Sequence, residues 1–275
     1  MGDWPQVDGQ RFENAGANTT ITGGTVITAA GSANTKGSYT ELIASTAFHA
    51  HGITVNINNP TVSVSGDDFL IDIGIGAATE EVLISNLHFG HHANAQIAHT
   101  VYVPISVPAG SRLSARCQCE TLSATVDVSL VLHGGGFIQP NALNRCTTYG
   151  ANTADSGGVS VDPGAVNHTK GAYSEVTAST TNPIKFLIIG FANQSNGVRS
   201  TLRSLVDIGI GAATEEVLIP NMLIGLEGTT DSVSPKYIGY PCNIPAGSRL
   251  TCRSQASDTI DATDRRFDVI LYGVD

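Results

Sequence analysis

The sequence has few charged residues, and most of those are acidic. Asp, Glu, Lys and Arg make up 14% of its 275 residues, against roughly 25% in an average soluble domain. Lys and Arg number 14 and Asp and Glu 24, so the formal net charge is −10. Because nucleic-acid backbones and anionic lipid surfaces attract positive charge, this balance excludes nucleic acid and a membrane surface as expected partners.

Long apolar runs and cysteine motifs are also lacking. The apolar stretch 186–192 is far shorter than the roughly 20 residues that span a bilayer, so we expect no membrane insertion. The first residues lack the basic and apolar regions of a secretory leader. Five cysteines without a C-x-x-C pair indicate neither a disulfide framework nor a thiolate zinc site, so we expect synthesis in a reducing compartment.

The residues that are abundant favour β-structure. The chain has 30 Gly and 11 Pro among many Thr, Ser, Asn, Val and Ile residues, a composition typical of short strands joined by turns. A helical bundle is therefore excluded. Apolar residues make up 41% of the chain, which is enough for one large core or two medium ones.

An internal duplication is the most informative feature. The segment Asp72–Ile84 recurs residue for residue as Asp207–Ile219, and such a repeat is interpreted before any single residue. Further matches extend the alignment in both directions, and its last block places Leu132 opposite Leu271. The sequence therefore predicts an N-terminal arm over 1–10, a first repeat over 11–137, a linker over 138–144 and a second repeat over 145–275.

Within each repeat, apolar and polar residues alternate with the period of a β-strand. One strand places apolar side chains on its inner face and polar ones on its outer face: Leu113, Ala115, Cys117 and Cys119 against Arg112, Ser114, Arg116 and Gln118. The closing strand places Val126, Val128, Leu130 and Leu132 inward in the same way. About eight short strands per repeat predict an all-β fold of two tandem jelly-roll-like β-sandwich domains.

Histidines are concentrated in the first repeat, which suggests a metal site as one hypothesis. Five of them fall in two groups, His49 and His51 in one and His88, His91 and His92 in the other, and converging imidazoles bind zinc or nickel. The second repeat has other residue types at these positions, so the fold does not need the histidines for stability. We favour surface or interface histidines over a metal site, and we expect no cofactor.

An outward row of arginines is present in both repeats, as Arg112 and Arg116 in the first and Arg249 and Arg253 in the second. We favour cross-strand ion pairs with carboxylates for these residues, with binding of an anionic or polyhydroxyl ligand as the alternative. The repeated Glu80-Glu81 pair lies on adjacent strand positions, which face opposite sides of a sheet. That arrangement does not fit the paired acids of a glycosidase, so we expect no enzyme activity.

The repeats resemble β-sandwich modules that are common in virion proteins of tailed bacteriophages. The resemblance is carried by Thr35-Lys36-Gly37, the Asp72–Ile84 block, Pro108-Ala-Gly-Ser-Arg-Leu113 and Leu132-His133-Gly134, most of which recur in the second repeat. It implies a fibre, spike or decoration protein that is made in the bacterial host cytoplasm and displayed on the virion. It also implies a homo-oligomer that contacts other virion proteins, and it transfers no functional residue.

Two functions follow as hypotheses. The first is a non-enzymatic structural component, because a sandwich with few lysines has little charge to protect its strand edges, which other subunits would then cover. The second is a module that binds host surface polysaccharide through aromatic residues, for which the candidates are Tyr102, Tyr237, Tyr240 and Tyr272. Saturable sugar binding that is lost on Tyr substitution would distinguish the second hypothesis from the first.

Overall fold

The computed structural model describes residues 11–58, 67–76, 79–91, 98–135, 143–193, 201–211, 214–227, 232–258 and 266–275. The predicted arm over 1–10 and most of the predicted linker lie outside these ranges. Within them the chain forms nineteen β-strands and no helix. Accordingly, the described residues contain no helix that is long and apolar enough to cross a membrane.

The first repeat contributes nine strands: β1 (Arg11–Ala15), β2 (Thr25–Thr28), β3 (Thr40–Ile43), β4 (Ala50–Asn58), β5 (Asp67–Ile75), β6 (Glu81–His91), β7 (Ala98–Val103), β8 (Leu113–Cys119) and β9 (Thr125–Gly134). One sheet, which we call A1, has the order β1-β9-β4-β7, with β2 also paired to β9. The other sheet, B1, has the order β3-β8-β5-β6.

The second repeat contributes ten strands: β10 (Cys146–Tyr149), β11 (Val159–Val161), β12 (Ser174–Thr177), β13 (Ile184–Asn193), β14 (Leu202–Ile210), β15 (Glu216–Glu227), β16 (Ser232–Ser234), β17 (Tyr237–Ile244), β18 (Leu250–Ala256) and β19 (Phe267–Val274). Sheet A2 has the order β10-β19-β13-β17, with β11 also paired to β19. Sheet B2 has the order β12-β18-β14-β15-β16.

Both repeats have the strand order of a jelly roll. All strand pairs are antiparallel, and the chain crosses repeatedly between the two sheets, so most neighbouring strands are distant in sequence; the hairpins β5-β6 and β14-β15 are exceptions. This path places β1-β9-β4-β7 in one layer and β3-β8-β5-β6 in the other, and the second repeat copies it. The predicted fold class, all-β with two tandem β-sandwiches, is confirmed.

The inner faces of the strands were predicted correctly, whereas part of the outer faces was not. Leu113, Cys117 and Leu130 have no exposed surface, as the alternation requires. Ser114 and Gln118, which the same alternation predicts to be polar and outward, are buried as well. Ser114 lies over Gly74 beneath the ring of Tyr39, and Gln118 contacts the second repeat. Alternation reports which face a residue is on, but not whether that face is covered.

The alignment of the last strand also needs correction. Ala15 pairs with Leu130 on β9, and Tyr149, its counterpart in the second repeat, pairs with Leu271 on β19. The counterpart of Leu271 is therefore Leu130, two residues earlier than the sequence alignment places it. In the corrected register, Val131 corresponds to Tyr272. A shift by two keeps every side chain on its face, so hydrophobic alternation alone cannot detect it.

A β-bulge recurs at the same position of β6 and β15, in the two B sheets. Asn86 on β6 and Asn221 on β15 have φ values of 56° and 53°, in the left-handed region that asparagine tolerates better than most residues. The backbone N–H of Asn86 donates to Asp72 Oδ1 at 2.9 Å, and that of Asn221 donates to Asp207 Oδ1 at 2.8 Å. The two strands therefore have the same local backbone shape.

Candidate functional site

The two repeats meet along a surface that we call the junction. Strand β6 of sheet B1 packs against β10 and β13 on the outer face of sheet A2. Four side chains of that face join the core cluster of the first repeat rather than that of their own repeat: Ile188, Ile270, Tyr272 and Val274. The centre of sheet A2 is therefore buried on both faces, with its own sandwich core on one side and the first repeat on the other.

The sequence of the A2 strands reflects this double burial. Every residue of β19 is buried, and the segment 184–192 reads as a nearly continuous apolar run. Such runs are typical of strands covered on both faces. The corresponding strand of the first repeat, β4, alternates instead, with Thr54, Asn56 and Asn58 as half-buried residues on its outer face.

Two tyrosines of the second repeat satisfy the backbone of β6 at the junction. The Tyr272 hydroxyl accepts a hydrogen bond from the His88 N–H at 3.1 Å and donates to the Asn86 carbonyl at 2.9 Å. The Tyr237 hydroxyl donates to the His88 carbonyl. Burial raises the pKa of both phenols, which keeps them protonated as donors. An edge strand exposes unpaired backbone groups, and here side chains of the other repeat pair them.

Further polar contacts extend the junction beyond β6. Gln118 Nε2 donates to the Thr153 carbonyl at 2.8 Å and to Ser156 Oγ at 3.1 Å. Ser156 Oγ in turn donates to Asn34 Oδ1 at 2.7 Å. Because these groups are removed from water, each hydrogen bond avoids the cost of an unsatisfied polar atom. The contacts fix the relative position of the repeats more specifically than apolar packing alone.

A buried group of charged and titratable side chains lies at the same junction. Its members come from both repeats: Asp68, His88 and His99 from the first, and Lys236 and Asp268 from the second. Burial lowers the pKa of Lys236 to about 8, and the two carboxylates act in the opposite direction. The group therefore contains a lysine whose charge is opposed by burial and supported by one aspartate from each repeat.

The histidines of this group are held neutral. His88 has no exposed surface, and its Nε2 lies 3.5 Å from Asp68 Oδ1. Burial, with further contributions from Lys236 and His99, lowers its pKa well below the usual range. Burial and Lys236 also lower the pKa of His99 to about 3, and its ring contacts that of Phe89 with centroids 5.5 Å apart.

An ion-paired carboxylate recurs on the outer face of each B sheet. Asp72 pairs with Lys36 at 2.8 Å and with Arg116 at 2.9 Å. The guanidinium of Arg116 also lies over the Tyr39 ring, 4.6 Å from its centroid. The second repeat copies this arrangement with Lys170, Asp207, Arg253 and Tyr173.

The second arginine of each row is paired as well. Arg112 binds Glu41 at 2.8 Å and also contacts Glu80. Arg249 binds Glu175 at 2.7 Å and also contacts Glu215. The predicted pairing of the arginines with carboxylates is confirmed, and Glu80 and Glu215 are held as ion-pair partners.

An open groove of about 580 Å³ lies beside the junction. Its wall includes the Lys36, Asp72 and Arg116 group, together with Val82 from β6 and Cys146 from β10. The charges in this wall are already paired with one another, so a ligand would have to compete with those pairs. The groove marks the rim of the junction.

The candidate tyrosines do not share one surface. Tyr102 is 42% exposed on the outer face of sheet A1. Tyr240 packs against the core of the second repeat, and Tyr237 and Tyr272 lie in the junction. Tyr272 has no exposed surface, so no ligand can stack on it unless the junction opens.

The candidate histidines are also separated. His49 lies on the surface with its Nε2 3.1 Å from Ser106 Oγ, and His51 is on sheet A1, where it acts electrostatically on His133. His88 is in the junction. The side chains of His91 and His92 lie outside the described residues. The described part of the chain contains no group of three or more His, Cys, Asp or Glu residues that could hold a metal ion.

Sequence reasoning missed the Asp72 group and the junction. The Asp72 group left a signal, since Lys36, Asp72 and Arg116 all have identical counterparts in the second repeat. The junction left a weaker signal, the loss of alternation over 184–192. That pattern indicates a strand covered on both faces without identifying what covers the second face.

The comparisons with known proteins give no family. No family model matches the chain, and no curated protein matches its sequence. Among solved structures, it is similar to the tandem CBM22-1-CBM22-2 domain of Xyn10C from Paenibacillus barcinonensis, with 10% identity, a TM-score of 0.30, and 96% of this chain and 91% of that chain covered.

Two further structures have comparable scores. The STIV MCP is 9% identical, with a TM-score of 0.35 and coverage of 91% of this chain and 96% of that chain. PNGase F, a glycosylasparaginase from Flavobacterium meningosepticum, is 8% identical, with a TM-score of 0.36 and coverage of 97% of this chain and 96% of that chain.

Proposed function

We propose that the chain is a non-enzymatic structural component of a bacteriophage virion, of the fibre, spike or decoration type, which assembles as an oligomer. The observation that carries this proposal is the junction, where two jelly rolls bury the centre of the outer face of sheet A2 and the later part of β6 against each other. The same surfaces occur once more in the chain, because each repeat carries both. A protein built from such modules has the surfaces that a repeating assembly needs.

The pairing of the reactive side chains supports a role without catalysis. The carboxylates Asp72 and Asp207 are each held by a lysine and an arginine. Burial raises the pKa of the Cys117 thiol to about 12 and thereby keeps it from acting as a thiolate nucleophile. These two carboxylates and this thiol are therefore held in the fold, which supports a structural role for them.

The setting of this function follows from the sequence resemblance to virion modules. We propose that the chain is made in the cytoplasm of a bacterial host, displayed on the virion and in contact with other virion proteins. The low charge content supports this, because a chain whose faces are covered by subunits has less need of a charged surface.

The first test is the mass of the assembled protein. The full chain is purified and studied by sedimentation velocity over a wide range of concentrations. We expect a defined oligomer that persists on dilution. A monomer at every concentration would contradict the assembly on which the proposal depends.

A second candidate function is binding of host surface polysaccharide, and one observation favours it. Phe12, Tyr102 and His133 form an exposed aromatic group on sheet A1, in which the ring of His133 lies 5.2 Å from each of the other two. Exposed aromatic rings provide apolar surfaces with polar edges that suit recognition. On a glycan array, saturable binding that Tyr102→Ala abolishes and Leu122→Ala leaves unchanged would support this candidate.

A further inference from the structure

The junction has two sides, and each repeat carries a copy of both. One side is the outer strand of a B sheet, which is β6 in the first repeat. In the second repeat it is the part of β15 that precedes Gly225, because from Gly225 onward β15 pairs with β16. The other side is the outer face of an A sheet. Within the chain, β6 is joined to sheet A2. The two equivalent surfaces, the β15 edge and the outer face of sheet A1, take no part in this contact.

The β15 edge resembles the β6 edge in backbone shape and is more apolar. Both strands contain the asparagine bulge tied to an aspartate, described above. Leu223 stands at the position of His88, and Val217 at that of Val82, as the pairing with β14 and β5 shows. Leu223 is 60% exposed, whereas His88 at the same position is buried. Val217 and Val82 are both exposed, at 43% and 46%, and lie at the rim of this surface. The surface that contacts A2 in one repeat is thus present, with apolar side chains, in the other.

The outer face of sheet A1 carries exposed aromatic groups at the matching positions. Phe12 corresponds to Cys146 and His133 to Val274, and both second-repeat residues pack against the first repeat in the junction. Phe12 is 58% exposed. The positions that are covered in sheet A2 are therefore occupied in sheet A1 by aromatic residues that remain accessible.

We propose that the β15 edge of one chain docks on the outer face of sheet A1 of a second copy of this chain, in the arrangement that the junction already uses. This inference rests on the proposed structural function and names its contact surface. The docked partner is a second copy of the chain because, in the junction, a B-sheet strand and the outer face of an A sheet already pack against each other. Each such contact adds a further pair of jelly rolls to the two that are already joined within the chain.

The chemistry of the two surfaces is compatible in this arrangement. Leu223 would lie against Val131 and Thr100, the counterparts of Tyr272 and Tyr237. Val217, at the position of Val82, which lines the same groove as Cys146, would lie on the side of the contact where Phe12 is. Thr54 and Ser129 stand where Ile188 and Ile270 do in sheet A2. Such a mixed face is typical of chains that must remain soluble before they associate.

The contact is head to tail, since two different surfaces meet. Interfaces of this kind produce a closed ring when the rotation between subunits closes, and an open filament when it does not. A chain in which either surface is blocked can therefore bind a neighbour on one side only and ends the assembly. When one chain has a blocked β15 surface and another has a blocked sheet A1 face, the two can form only one contact with each other.

The test uses two capping variants and a matched control. Leu223→Asp blocks the β15 edge and Phe12→Asp blocks the sheet A1 face. Leu122→Asp places the same charge on an equally exposed leucine, 60%, in the turn between β8 and β9. Sedimentation velocity of each full-length variant should show a dissociation constant raised roughly tenfold or more for the first two and unchanged for the control. Circular dichroism on heating checks that all three fold.

Mixing the variants sharpens the test. Chains with Leu223→Asp and chains with Phe12→Asp should together form dimers of one of each kind and nothing larger, which native mass spectrometry detects by the mass difference. If the wild-type chain forms oligomers that neither variant weakens, the docking surface is wrong while the proposed assembly stands. If the wild-type chain is monomeric at every concentration, both are overturned. Leu223→Lys serves as a second blocking variant if Leu223→Asp fails to fold.

Discussion

The outer faces of sheets A2 and A1 occupy the same position in their repeats but have opposite surroundings. In sheet A2, Ile188, Ile270 and Tyr272 are almost or completely buried by the first repeat. In sheet A1, the corresponding positions hold Thr54, Ser129 and Val131, which are all half-buried. The same fold therefore carries an apolar face where the other repeat covers it, and a mixed polar and aromatic face where no part of the chain within the described ranges does.

This comparison separates what the fold requires from what the junction requires. The residues identical in both repeats, such as Lys36, Asp72 and Arg116, stabilise each sandwich. The residues that differ, such as Tyr272 against Val131, follow the surroundings of each face. The predictions below test the two kinds of residue in turn.

The largest expected effect is the loss of a sandwich core. Leu130→Asp places a carboxylate among apolar side chains of the first repeat, where Leu130 has no exposed surface. Burying an unpaired charge costs several kcal/mol, roughly 3–5 in the free energy of unfolding. Thermal and urea denaturation should show this loss, and Leu271→Asp should do the same in the second repeat. Unchanged melting would show that the inward assignment of β9 is wrong, and Leu122→Asp provides the exposed control.

The next effect is at the junction. Tyr272→Phe removes the hydroxyl that pairs the His88 N–H and the Asn86 carbonyl, and leaving these groups unsatisfied costs about 2 kcal/mol. Urea denaturation measures the difference. Tyr102→Phe, which removes a hydroxyl from the uncovered face of sheet A1, should change the free energy of unfolding by only a few tenths of a kcal/mol. Equal effects of the two substitutions would contradict the contrast between the faces.

A third prediction concerns the pH dependence of stability. The pKa of Lys236 is lowered from 10.5 to about 8 in the folded protein, so between these values the unfolded chain binds more protons than the folded one. The contribution of Lys236 to the free energy of unfolding therefore rises with pH from about 8 to 10.5, by up to about 1.4 kcal/mol per pH unit.

The measurement for Lys236 is a series of urea denaturations between pH 7 and pH 10. Relative to the wild type, Lys236→Met should lower the slope of the free energy of unfolding against pH, whatever its effect on stability at pH 7. Lys185→Met, at an exposed lysine of β13, should leave that slope unchanged. A slope that is the same in the wild type and in Lys236→Met would show that Lys236 titrates normally in the folded protein.

The smallest expected effect is the loss of a single hydrogen-bond pair at the rim of the junction. Thr148→Val removes the contacts of Thr148 Oγ1 with the hydroxyl of Ser85, at 2.8 Å, and with its carbonyl, at 2.6 Å. The expected cost is about 1 kcal/mol in urea denaturation. Thr28→Val, on an exposed position of β2, is the matched control. A variant as stable as the wild type would place these groups in contact with water rather than with each other.

The sequence alone predicted the fold well and the junction poorly, for a physical reason. Alternation with period two reports which side chains share a face, and it identified Leu113, Cys117 and Leu130 as core residues. It did not reveal that Gln118 and Ser114 are buried, because the cover over them comes from distant parts of the chain. The register of β9 against β19 was also missed, since a shift by two residues preserves the pattern.

The arginine rows show the same limit for the candidate site. Their pairing with carboxylates could be predicted from charge and spacing. The buried group at the junction could not, because Asp68, His99 and Lys236 lie far apart in the sequence and none of them has an identical counterpart in the other repeat. The duplication is visible from residues that are identical in both repeats, and it gives no information on positions where the repeats differ.

Hydrogen exchange of β6 and β15, followed as a function of protein concentration, tests the account most directly. In dilute solution, the amide of His88 on β6 should be protected by the junction, while Leu223 on β15 exchanges faster. As concentration rises and chains associate, β15 and the outer face of sheet A1 should become protected together, with β6 unchanged. Exchange of β15 that is identical at every concentration, in a chain that sediments as a monomer, would contradict the account.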